Sequence, residues 1–172
     1  MGRPDLSRVP DWYHGYVNLV SENDLLIALK DQTASIQAFF NKIPSGKHHF
    51  RYAEGKWSIK EVLQHIIDAE RVFAYRALCF ARKEAAALPS FDENEYASNS
   101  KADVRDWRDL LAEFKAVRHS TEILFSSFDE EQMQSNGIAN GNSVYVAAIG
   151  FIVVGHAEHH RKGLEERYLH VQ

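Results

Sequence analysis

The sequence predicts an all-α protein, a four-helix bundle, on three observations. Its four prolines, at positions 4, 10, 44 and 89, leave long stretches in which a helix can run unbroken. Within them apolar residues recur at three- and four-residue spacing, and no run of useful length alternates with the two-residue period of a half-buried strand. The segment SNGIANGNS, rich in glycine and asparagine, divides the last stretch, so that four helices of roughly 22 to 26 residues result.

The first helix is expected to begin near Ser21, with Ser21 and Asp24 supplying a cap and an acidic first turn. Its apolar face runs through Leu25, Leu29, Ile36, Phe40 and Ile43 until Pro44 closes it. The second opens at WSIKE, where Ser58 and Glu61 form a capping box, and ends near Lys83. The third is predicted from about Asp103 to Phe128, with Trp107, Leu111, Phe114, Thr121 and Phe125 along one face. The fourth starts after Ser143 as N-cap and ends near Leu169, with Arg161, Lys162 and Arg167 suited to the negative end of its dipole. The connection KEAAALPSFDENEYASNS is too long for a simple turn. It can carry the chain back along the bundle, so that helix three runs parallel to helix two in an up-down-down-up arrangement.

At 172 residues the chain fits one domain, 1–172, with an N-terminal arm over 1–17. A net charge of −4, with Lys and Arg scattered, gives no electrostatic basis for a nucleic-acid partner. The single Cys79 excludes an intrachain disulfide framework and fits a reducing compartment. The N-terminus has no apolar signal region, and Leu6 stands where a myristoylation motif requires Ser or Thr. The longest apolar run, Val144 to Gly155, is too short to span a bilayer. A cytoplasmic protein with no membrane or nucleic-acid partner is expected.

Against this background the stretch GFIVVGHAEHHRKGLEERYL stands out, because it sets His156, His159 and His160 directly after an apolar run. Residues four apart on a helix differ by about 40° around the axis and about 6 Å along it, so His156 and His160 can aim at one point. His159 falls about 60° to the other side of His156 and reads as a rim residue. A working metal site wants a third ligand and an open position, and His65, between Leu63 and Ile66 of helix two, offers it. If helices two and four are antiparallel, His65 and the pair lie within about 5 Å of the same depth; if parallel, the mismatch doubles. A hydrogen-bonded core histidine, or a chance pair on a solvated face, is the alternative for each taken singly.

Other motifs exclude chemistry. HAEHH is not a zinc-protease motif, because Ala157 occupies the position of the general base. Cys79 lies about 21 Å along the helix from His65 and cannot share the metal. His48 and His49 read as solvated loop residues, while His14, His119 and His170 have no informative spacing. Gly150, Gly155 and Gly163 suit either close helix approach or an access channel. Asp68, Glu70, Arg71 and Arg76 suit an interhelical salt-bridge network with Glu113 and Arg118. Asp68 and His159 are also candidate proton carriers.

KWSIKEVLQHIIDAERVFAYRAL, LPSFDENEY, LLAEFKAVRHSTEILF and GHAEHHRKGLEERYL together resemble the DinB-like (DinB/YfiT) superfamily of bacterial metal-binding four-helix bundles, over about residues 20–169. The resemblance implies an up-down-down-up bundle, often a homodimer. It also implies a nickel, zinc or other divalent site on His65, His156 and His160, with open water positions. Members of similar fold include metal-dependent hydrolases and S-transferases that use a low-molecular-weight thiol such as bacillithiol or mycothiol. The implied activity on a small-molecule substrate is hydrolysis or thiol transfer through metal-activated water or thiolate. A non-catalytic, metal-stabilised bundle serving stress-related interaction or sensing is the alternative.

Overall fold

The computed structural model describes residues 2–169. The helices are α1 (Asp11–Asn18), α2 (Leu25–Asn41), α3 (Ile59–Ala81), α4 (Glu93–Asn99), α5 (Trp107–Ser126), α6 (Glu130–Gln134) and α7 (Val146–Leu164). A two-stranded sheet, β1 (Asn136–Ala139) and β2 (Asn142–Tyr145), precedes α7, and a π-helical turn over Glu165–Leu169 follows it. Among the described residues no helix is long and apolar enough to cross a membrane.

The bundle is built from α2, α3, α5 and α7, and side-chain contacts give their directions. Gln64 and Arg71 of α3 meet Arg105 and Glu113, so α3 and α5 run the same way. Thr33 of α2 reaches Glu122 and Phe40 packs on Trp107, so α2 opposes α5. Gln32 bonds Val154 and Phe39 lies under Arg161, which makes α2 and α7 parallel. The order is therefore up-down-down-up, and residues 82–106 form the crossover.

Local chemistry sets the helix ends. Ser58 Oγ accepts from the Glu61 amide while the Glu61 carboxylate accepts from the Ser58 amide, completing the predicted capping box of α3. Asp24, rather than Ser21, caps α2 by accepting from the amides of Leu26 and Ile27. Asp106 caps α5 at Trp107, four residues later than predicted, because Ala102–Val104 forms a separate 3-10 turn. Ser143 caps nothing: it lies in β2, and α7 begins at Val146 with no side-chain cap.

SNGIANGNS is therefore a hairpin and not a bare break. Asn140 and Gly141 carry φ of 51° and 72°, the two positive values that a tight primed turn requires. Its edge is used by the crossover, since the Leu88 amide donates to Ile138 and Leu88 accepts from Asn140. The N-terminal arm, over its described residues 2–17, is also ordered structure. Its helix α1 packs against α7, and a Cβ at Gly155 would overlap the Tyr16 carbonyl oxygen. At Gly150 the same test meets Leu25 and Phe125, so both glycines serve close approach rather than access.

Two apolar clusters fill the bundle, one around Leu29, Phe80, Phe125 and Phe151, the other around Ile36, Phe40, Leu63 and Phe114. A polar layer also crosses the interior. Arg118, fully buried, donates to both Glu70 oxygens at 2.8 and 2.9 Å and to Gln32 at 2.9 Å, and Gln32 donates to the Val154 carbonyl at 2.7 Å. That chain of bonds joins all four bundle helices just beneath the histidines.

Candidate metal centre

The antiparallel pairing of α3 with α7 brings together the three histidines expected to meet. His65 Nε2 lies 3.0 Å from His156 Nε2, which lies 3.1 Å from His160 Nε2. The three rings stand edge to face, with centroids 4.5–4.9 Å apart. His65 and His156 are buried and His160 is partly exposed. Trp57 packs on His65 at 4.7 Å, and Phe73 and Tyr16 pack on His156 at 5.8 and 5.4 Å.

This surrounding disfavours positive charge on the rings. Burial, helped by the neighbouring His159, pushes the His65 pKa down to about 4. Burial and then the adjacent histidines hold His156 and His160 well below the ordinary imidazole value. Neutral imidazoles are what a metal requires. Three of them facing one point cannot all be satisfied by one another, because each nitrogen either carries a single proton or presents a lone pair. Nitrogens sharing a cation at roughly 2.0–2.1 Å sit about 3.0–3.4 Å apart, so the observed spacings fit a divalent ion. Among the described residues these three are the cluster of His, Cys, Asp or Glu with such convergence.

Two cavities of about 240 Å³ each border the rings. Tyr13, Tyr16, Phe73, Arg76 and Glu93 line one together with all three histidines. Tyr52, Lys56, Gly163 and Arg167 line the other, and Trp57 and His160 belong to both. Gly163 thus keeps volume free beside His160, and a Cβ there would meet only the mobile end of Arg167.

The remaining candidates are distributed differently. His159 is exposed on the rim, edge-on to Tyr16 at 5.3 Å. Asp68 does not line either cavity; it accepts from Gln64 at 2.9 Å and faces Arg71. Glu70 and Arg71 pair with Arg118 and Glu113, as the salt-bridge reading expected. His48 is buried, contrary to the solvated reading, because it stacks on Trp107 at 4.0 Å and bonds the Ile43 carbonyl. His49 is exposed near Asp103, His14 bonds the carbonyls of Leu6 and Val9, and His170 lies outside the described residues.

The sequence reading missed Tyr13, Tyr16 and Glu93. The aromatic spacing in DWYHGYVNL was the available signal, but it sits in eight residues between Pro10 and the next polar turn, too short to predict a docked helix. Burial, with Tyr13 and Glu93 nearby, raises the Tyr16 pKa, so its hydroxyl stays protonated at neutral pH.

The profile of the DinB superfamily matches residues 28–163. The chain is also similar in structure to YfiT from Bacillus subtilis, described as "a probable metal-dependent hydrolase with an unusual four-helix bundle topology". The two share 15% sequence identity and a TM-score of 0.73, over 95% of this chain and 89% of that one. No curated protein matches the sequence.

Proposed function

The chain belongs to the DinB superfamily, and from that premise we propose that it is a hydrolase dependent on one divalent cation, zinc or nickel, held by His65, His156 and His160. The observation that carries this reading is the convergence of three neutral Nε2 atoms, 3.0 and 3.1 Å apart, at the wall of an open cavity. A relative of the same fold described as a probable metal-dependent hydrolase supports it.

A cation at that point supplies Lewis-acid polarisation and lowers the pKa of water toward neutrality. The chain's own residues do the rest. Three uncharged ligands leave the ion's charge undiminished, and burial by Trp57, Phe73 and Tyr16 keeps the imidazoles in that state. The same aromatic walls exclude bulk water from one side of a bound substrate. Tyr16, protonated, and Glu93, at the cavity edge, are groups that can give or take a proton there.

Hydrolysis of activated esters and amides by the untagged protein, before and after chelation, tests the proposal. Turnover should vanish with chelator, return with added metal, and drop at least about 100-fold in His65→Ala, His156→Ala and His160→Ala. Turnover that ignores chelator, or survives all three substitutions, contradicts it. Turnover that appears only when a low-molecular-weight thiol is added would make thiolate the nucleophile at the same site.

A further inference from the structure

Arg76 is 4% exposed, yet among the described residues no carboxylate pairs with it. Among the described residues its side chain makes one hydrogen bond, from Nη2 to the Pro89 carbonyl at 2.8 Å. Its guanidinium lies 6.0 Å from the centroids of both Phe73 and Phe91. The side chain also lines the cavity that contains the three histidines. Glu93 lines that cavity too, but forms no ion pair with Arg76. Elsewhere in the interior this protein pairs a buried arginine fully: Arg118 makes three bonds to Glu70 and Gln32. The other guanidinium N–H groups of Arg76 are not sealed off: they stay reachable from the cavity, where an anion can meet them.

Resting on the proposed hydrolytic site, we infer that Arg76 is the specificity residue for the substrate: it receives a carboxylate at the end of the cavity away from the histidines. A guanidinium edge matches one planar carboxylate in a two-pronged contact, whereas a phosphate dianion calls for further cations, and among the residues lining this cavity Arg76 is the one fixed cation. Phe73 and Phe91 flank that edge with apolar ring faces. The substrate class that follows is an ester or amide with an aromatic or apolar body and a carboxylate remote from the scissile bond.

The spacing supports remoteness. Arg76 follows His65 by eleven residues, about 16 Å along α3, and a long helical side chain leans back toward the N-terminus. The Phe73 ring neighbours both, 5.8 Å from His156 and 6.0 Å from the Arg76 guanidinium. A carboxylate on Arg76 therefore does not occupy the position between the histidines.

Calorimetric titration of the full chain with benzoate and with its neutral isostere benzamide tests the assignment, in metal-free and zinc-loaded protein. Benzoate should bind both forms, and benzamide at least tenfold more weakly. Arg76→Gln should weaken benzoate at least tenfold while zinc stoichiometry stays at the wild-type value. Arg76→Lys, which keeps the charge and loses the fork, should fall between; it also serves if the Gln variant does not fold. Equal benzoate affinity in wild type and variant, equal affinity for benzamide, or no benzoate binding by the wild type overturns the inference. Because the metal-free protein is titrated as well, a failure of Arg76 is distinct from a failure of the metal site, which would show as absent zinc uptake with benzoate binding intact.

Discussion

Gly155 and Gly163 sit on the same helix and predict opposite outcomes. A methyl at Gly155 would run into the backbone carbonyl of Tyr16, which cannot swing aside, so α1 must lift from α7. Overpacking of that kind costs about 1–3 kcal/mol, more than the gain of at most about 1 kcal/mol from replacing glycine in a helix. Gly155→Ala should therefore lower the urea midpoint, whereas Gly163→Ala, which meets only the Arg167 guanidinium, should leave it unchanged or raise it. His48 makes a second prediction at this scale. Burial holds its pKa below 6.5, so the unfolded chain takes up the proton more readily than the folded one. Its contribution to stability is unaffected above about pH 6.5 and falls as the pH drops below that value. Urea midpoints at pH 7.5 and 5.5 should differ less in His48→Gln than in wild type. The metal candidates were legible at this scale because four-residue spacing and one register argument suffice for His65, His156 and His160. His48 was not, because its burial comes from Trp107, distant in sequence and brought close only by the bundle.

The elements most legible in the sequence are those whose ends carry their own chemistry. Ser58 and Glu61 announced α3, and Ser58→Ala should cost about 1 kcal/mol in denaturant unfolding through loss of the cap. The start of α7 was misread because Ser143 looks like a cap but belongs to a strand only four residues long, at the lower limit for recognising alternation. Asn140–Gly141 was the sign of that hairpin, a turn signal that local sequence carries even when the strands do not. The buried Arg118–Glu70 pair was expected as an ion pair, but its extension through Gln32 to Val154 depends on four helices meeting at one level. Arg118→Met alone leaves Glu70 buried without a counter-charge and should cost about 3–5 kcal/mol. Arg118→Met with Glu70→Met should recover most of that loss, as chemical denaturation of the two variants can show.

At the scale of the whole molecule, one feature of connectivity determines whether a site exists. The crossover over residues 82–106 sets α3 and α5 parallel, which leaves α7 antiparallel to α3 and puts His65 level with His156 and His160. The same crossover places Glu93 and Phe91 on one wall of the cavity, and α1 places Tyr13 and Tyr16 on another. The sequence indicated the long connection but not these walls, since short segments acquire their position from what they dock against. Metal binding should stabilise the whole fold: free zinc at 100 times its dissociation constant adds about 2.7 kcal/mol, or roughly 5–10 °C in Tm for a chain of this size. The most direct test is calorimetric titration of zinc into untagged, metal-stripped protein and its three single histidine variants. One ion per chain in the wild type, with stoichiometric binding lost in each of His65→Ala, His156→Ala and His160→Ala, is the predicted result. No uptake by the wild type, or unchanged uptake by all three variants, would contradict it.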